Sequence, residues 1–393
     1  TKRYIAMELM NQHIIVHDST ESKDYVSGDA QYYLARNGAP VFVESKGEAD
    51  GTGMVVKGGF QLMMEKAGVE QQCNVVETYN MTAENNNGYG NGMTYFIDRA
   101  MQPTMTNVRA TLTGNAEFSK FYNLLAGYDL SADPNNPDPT LSFDIGTIVD
   151  DAGFTEGMPA ADAIDERNKY QVFSSAQSYA YVRFFNNYRY TVYVPTNEAI
   201  DYAVNTLGLP TWSRIRSYLD TYCNAEDPNI SEETLAANKK IAQAMVTCLV
   251  NFLRYHFQDG SIFLEKHVTE STDETETSCV DSESNVYLKA YHIDQAPNSL
   301  SLTDEGGVRH SVNPSLCNFL TRDMETFVDR TNAVTTNPTQ AYAVTSSSYS
   351  VLHALSHNPS ANQPGCLLFK QLENGKIFNV NTGEQATAFV KKY

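Results

Sequence analysis

The chain has 393 residues, 41% of them hydrophobic, which is enough for two or three folded domains. Its formal net charge of −19 excludes a natural affinity for nucleic-acid phosphates and argues against an electrostatic grip on anionic lipid. No run of about 18 apolar residues occurs, so the sequence contains no helix able to span a membrane.

Taken in chain order, an amphipathic helix is expected over about residues 4–16, with Ile14, Ile15 and Val16 passing from helix end to strand. His17 and Asp18 then open a polar turn. Short strands are expected around 41–43 and 54–56, followed by a turn at Gly58-Gly59. Residues 75–79 and 93–98 read as strands around an Asn- and Gly-rich loop, 83–92, with Pro103 closing the unit. A helix is expected from Phe118, capped by Asn115. The stretch to about 177 is polar, without a clear period. Residues 179–185 and 190–194 read as two strands joined at Asn186-Asn187.

Thr196 is a good cap for the next helix, and further helices are expected over about 212–222 and 231–253. The acidic stretch 270–284 reads as a solvated loop. Strands are expected over 286–292, 299–302 and 349–355. Asn374-Gly375 marks a C-terminal hairpin between 367–371 and 376–380. Part of this order repeats. Helix, His17, strands and Tyr95-Phe96-Ile97 are echoed by helix, His256, strands and Tyr349-Ser350-Val351.

Six cysteines stand at 73, 223, 248, 279, 317 and 366, with no CxxC. That spacing gives zinc no support, and free buried thiols are expected ahead of bridges. Tyrosine (24) and phenylalanine (18) outnumber the single tryptophan, a usage that suits sheets and binding surfaces alike.

Three segments carry a resemblance. Tyr190-Thr-Val-Tyr-Val-Pro-Thr-Asn-Glu-Ala199 is a strand running into a capped helix. Tyr255-His256 ends a helix. Asn91-Gly-Met-Thr-Tyr-Phe-Ile-Asp98, followed by Ala100, Met101 and Pro103, closes the first unit. These are similar to the two marker regions and the Tyr-His of the fasciclin family, although Tyr95 stands where the family often has His. The second unit's counterpart of the closing marker, Ser348-Tyr-Ser-Val-Leu-His-Ala-Leu355, lacks the Asn-Gly and the Asp.

The resemblance implies an α+β fold of compact β-sheets flanked by helices, in two tandem units. Residues 1–107 resemble the C-terminal half of one domain, with Val16-His17 in place of Tyr-His. Residues 108–362 resemble a whole domain enlarged near 129–177 and 265–285, and 363–393 form a hairpin extension. The enlarged form resembles fasciclin proteins of Bacteroidetes. Pro195, Thr196, Asp98 and His17 are expected to determine the fold. Tyr255, His256, Asn86 and Tyr89 are the candidate binding residues.

Catalytic signatures are missing from the sequence. There is no GxSxG, no Walker lysine motif and no GxGxxG. His353 and His357 stand four apart but lack the Glu of HExxH. Asp133, Asn135 and Asp138 lack the order and glycine of a calcium loop. The resemblance therefore implies a non-enzymatic adhesion or recognition protein that binds a protein or polysaccharide at a cell surface. It implies no cofactor and no metal, an extracytoplasmic location, and room for a lipid anchor upstream of a chain that starts mid-pattern. A glycan-processing hydrolase and a structural spacer are the rival readings. The hydrolase would need convergent carboxylates or a perturbed histidine in a deep pocket.

Overall fold

The computed structural model describes residues 2–16, 30–44, 47–82, 87–90, 92–173, 182, 189–264, 276–280, 287–289, 292–296, 299–304, 306–328, 342–368, 376–379 and 384–385. The fold is α+β. Helix α1 (Lys2–Gln12) leads to an antiparallel sheet of β1 (Gln31–Leu34), β2 (Pro40–Glu44), β3 (Val55–Gly58), β4 (Cys73–Met81) and β5 (Gly92–Ile97), with helix α2 (Gly59–Lys66) between β3 and β4. Helix α2 stands where a plain turn is expected. Gly58 and Gly59 are required there by close approach: a Cβ would lie 2.7 Å from the carbonyl oxygen of Gln102 and 2.9 Å from the amide of Thr104.

Four helices follow: α3 (Val108–Gly114), α4 (Ser119–Ala126), α5 (Ile145–Asp151) and α6 (Ala160–Tyr170). The Asn107 side chain caps α3, Asn115 caps the short turn before α4, and Asp144 caps α5. The polar stretch around 145–170 hides α5 and α6 because each buries only a narrow stripe, such as Ile145, Ile148 and Val149.

Strand β6 (Arg189–Val194) then enters α7 (Asn197–Asn205). Helices α8 (Trp212–Tyr222) and α9 (Glu232–Tyr255) begin at Thr211 and Ser231, whose hydroxyls accept amides of the first turn. Strands β7 (Phe257–Asp259), β8 (Glu276–Val280), β9 (Tyr287–Lys289), β10 (His292–Ala296), β11 (Ser299–Thr303), β12 (Arg309–Ser311), β13 (Phe319–Val328) and β14 (Tyr342–Ala354) complete the larger part. β8 is a strand within the stretch expected to be a loop. The pair β15 (Phe378–Asn379) and β16 (Glu384–Gln385) is antiparallel. The expected Asn374-Gly375 turn lies outside the described residues, as does the stretch 179–185 except Val182, which bridges to Phe173.

The second sheet has the order β13-β14-β6-β7-β8-β9, with β14 and β6 parallel and the other pairs antiparallel. β6 is central, and Tyr190, Val192, Tyr193 and Val194 on it are buried. They join the main core with Phe121, Trp212, Leu249, Phe252 and Phe257. A smaller core lies under the first sheet, around Tyr33, Val41, Val43, Val56, Cys73 and Val75. A third cluster joins the sheets, where Tyr32 stacks on Phe263 at 4.1 Å beside Leu320 and Val351.

The same junction carries a buried polar knot. Glu8 on α1 accepts hydrogen bonds from Arg322, with which it is ion-paired, and from the Tyr349 hydroxyl at 2.6 Å; Asn37 donates to that hydroxyl at 3.2 Å. A carboxylate with so little water needs such partners, so the knot holds α1 to β13 and β14.

Candidate functional site

The strand-to-helix corner is built at Pro195 and Thr196. Buried Pro195 fixes the exit from β6. The Thr196 hydroxyl accepts the Ala199 amide at 3.4 Å. Asn197 ties the corner to α4: its carbonyl oxygen accepts the Lys120 amide at 2.9 Å and its amide donates to Ala116 at 2.8 Å.

Beside it lies the helix-to-strand corner. Tyr255 and His256 have no exposed surface, so neither offers a contact to a partner in this structure. The His256 ring joins two backbones. Its Nε2 accepts the Leu367 amide at 2.9 Å, which requires Nδ1 to carry the proton it donates to the Phe252 carbonyl at 2.8 Å. His353 is bound in the opposite tautomer: Nδ1 accepts the Asn318 amide at 3.1 Å and Nε2 donates to Ile262 at 2.8 Å. Burial disfavours the imidazolium in both. It lowers His256 to about 3 and His353 to about 4, against the smaller opposing effect of the carbonyl each ring touches. His357, by contrast, bonds the Pro364 carbonyl at 2.7 Å and does not share a ligand with His353.

His17 lies outside the described residues. The histidine that repeats the His256 pattern is His13, one turn earlier. Its Nδ1 donates to the carbonyl of Leu9, four residues back, at 2.7 Å, and its Nε2 accepts the Met101 amide at 3.0 Å. Two further bonds and one strand pairing recur. The Asp98 amide donates to Asn74 at 3.0 Å as the Ser356 amide donates to Ser311 at 2.8 Å. Val75 faces Ile97 as Val312 faces Leu355. The Val75 amide donates to Met54 at 2.8 Å as that of Val312 donates to Leu300 at 2.9 Å.

Asp98 binds across the strand end. Its two oxygens accept the Asn74 amide and the Asn74 side chain, each at 2.8 Å, and these bonds hold its carboxyl below the usual range. From this clasp β4 and β5 run outward past β3, whose register with β4 ends at Asn74 and is extended by the bonds of Val75 to Gly53 and Met54. A register shift between Val75 and Glu77 turns the arm. One face then carries Tyr79, Phe96 and Met81, all exposed, with Tyr79 and Phe96 edge to face at 5.4 Å. At the tip Tyr89 is 80% exposed, between Gly88 and Gly90, both at positive φ. Asn86 lies outside the described residues.

The chain matches no family model, no curated protein and no solved structure.

Two cavities of about 260 and 280 Å³ open among the described residues. The first lies between α4 and α5, against Tyr122, Tyr128, Phe143, Phe173 and Arg109, with Asp144 its one carboxylate. That carboxylate is engaged as the cap of α5, accepting the Gly146 amide at 2.9 Å. The second is walled by Tyr202, Val308, Pro359, Pro364 and Leu368. His256 and His353 line neither. Asp133 and Asp138, which could offer oxygens to calcium, close local turns onto the Asn135 and Thr140 amides at 2.9 and 2.8 Å. Asp323 is a strongly perturbed acid among the described residues, and sequence patterning does not reveal it. Burial raises it to about 6 while it accepts the Tyr190 hydroxyl at 2.9 Å. Among the described residues no helix is long and apolar enough to cross a membrane.

Proposed function

We propose that this chain is a non-catalytic adhesion or recognition protein of a cell surface, built from one partial and one complete fasciclin-like unit. It grips a protein partner through the β4–β5 arm. Support for the two-unit reading comes from the recurring bonds of His13 and His256, of Asp98 and Ser356, and of Val75 and Val312. The Thr196-capped corner beside Tyr255-His256 supports the family assignment.

The observation that carries the functional reading is the arm itself. It presents Tyr79, Phe96, Met81 and Tyr89 to solvent, while the perturbed histidines are enclosed and committed to backbone. An exposed aromatic row is a contact surface, and a neutral histidine with both nitrogens engaged has no proton to exchange with a substrate. A chain of net charge −19 favours a neutral or basic partner surface. The test is to probe the purified chain against a panel of purified matrix proteins, a glycan array and soluble polysaccharides. Saturable binding to a matrix protein with no sugar release supports the reading. Turnover of a polysaccharide overturns it.

A further inference from the structure

The second sheet holds a strand that has no counterpart in the first among the described residues. In the second, β6 lies between β14 and β7. β7 follows His256, and β14 leads on toward Leu367, whose amide the ring receives. In the first, residues 14–16 follow His13, and β5 leads on to Met101. The matching bonds put residues 14–16 in the place of β7 and β5 in the place of β14. Among the described residues no strand lies between them. β5 ends its sheet, and Ile15 bridges to Ala35 on its other side. Ile15, Tyr95 and Ile97 rest on the same small core and are each only partly buried.

The helix beside this position tells the same story. Leu9 and Met10 precede His13 as Phe252 and Leu253 precede His256. Phe252 and Leu253 are fully buried in one core with Val192, Val194 and Ile200 of the β6–α7 segment. Leu9 and Met10 are 42% and 67% exposed, and Val16 is 73% exposed. α1 therefore turns Glu8 and Gln12 inward and Met7, Leu9 and Met10 outward, the reverse of an ordinary amphipathic stripe along those residues. β5 itself, Gly-Met-Thr-Tyr-Phe-Ile, carries no charge or proline to protect an edge.

We propose that the groove between β5 and residues 14–16 receives one polypeptide strand, parallel to β5, that continues into a capped helix over Leu9 and Met10. The occupant is a partner segment with the chemistry of residues 189–205: an apolar strand, Pro-Thr, then a short amphipathic helix. A second copy of β6 cannot serve, because both edges of β6 are already paired. Main-chain bonds to β5 would give the affinity and the apolar side chains the specificity. The inference rests on the two-unit part of the reading above, and it uses the edge and helix rather than the aromatic face.

A fluorescein-labelled peptide of residues 189–205 titrated into the full chain tests this by anisotropy, against a scrambled peptide. Saturable one-to-one binding is expected, with slower amide exchange along β5. Leu9→Glu/Met10→Glu should weaken it about tenfold or more while leaving the melting curve unchanged, since both residues are on the surface. Tyr79→Ser/Phe96→Ser should leave peptide binding in place, which separates this site from the adhesive face. Absence of saturable binding, equal binding of the scrambled peptide, indifference to the helix substitutions, or β5 amides already protected without peptide would each overturn the proposal.

Discussion

Three buried residues contribute to the pH response with opposing signs. Below about pH 6.5 the unfolded chain protonates both imidazoles, while the folded chain keeps His353 neutral to about 4 and His256 neutral to about 3. The unfolded state then binds more protons, so stability falls as pH falls from about 6.5, by up to about 1.4 kcal/mol per pH unit for each ring. Asp323 has the opposite sign. The folded chain holds its proton to about 6 and the unfolded chain releases it near the ordinary carboxylate value, so its contribution is greatest at low pH and is lost as pH rises through that window. Between about pH 4 and 6 it cancels one histidine. Urea unfolding across that range should therefore show a steeper fall toward low pH in Asp323→Asn than in the unsubstituted chain; equal slopes would mean that Asp323 is not held protonated. None of these roles is legible in composition. Asp323 sits in a polar run of β13, and its inward placement is set by partners remote in sequence, the Tyr190 hydroxyl at 2.9 Å and the Val108 amide at 3.4 Å. The His13 pattern is similarly hidden. A search for Tyr-His stops at Val16-His17, whereas the chemistry depends on a carbonyl four residues back at a helix end, and α1 ends at Gln12.

Elements with strong local signals are those the sequence reveals. Helices α7, α8 and α9 combine a Thr or Ser cap with a 3.6-residue apolar stripe, and β6 is an apolar run closed by Pro195. Thr196→Ala should cost about 1 kcal/mol, read as a shift in urea midpoint without a change in slope. Elements set by tertiary contact are not legible. In β1, consecutive Tyr32 and Tyr33 are both buried because each enters a different cluster, which destroys alternation. In β13, Arg322 and Asp323 interrupt the apolar pattern because Glu8 and Tyr190 supply their partners. The arm follows another logic: its sequence is plainly strand-like, but only the early end of the β3–β4 pairing shows that it stands free. Its exposed aromatics contribute little to folding, so Tyr79→Ser/Phe96→Ser should leave stability within about 0.5 kcal/mol.

At the scale of the whole molecule, the five-stranded and six-stranded sheets meet at a mixed aromatic and aliphatic cluster and at a buried ionic knot. Removing the charge of Glu8 would leave Arg322 beside Tyr349 without its anion, so Glu8→Gln should destabilise by about 2–3 kcal/mol. Amide exchange should accelerate first in β1 and in the β13 residues paired with β14; uniform acceleration would show that the knot serves global stability rather than the junction. On the proposed function, the enclosed histidine corners fix the shape of the chain and the outward arm makes contact with a partner. The most direct test measures binding and stability together in two variants, using the matrix protein that the unsubstituted chain retains most strongly. Tyr79→Ser/Phe96→Ser should lose that binding at an unchanged melting temperature, and His256→Asn should lose stability while its folded fraction still binds. Binding that survives loss of the arm's aromatics, or that disappears from fully folded His256→Asn, would contradict that division of roles.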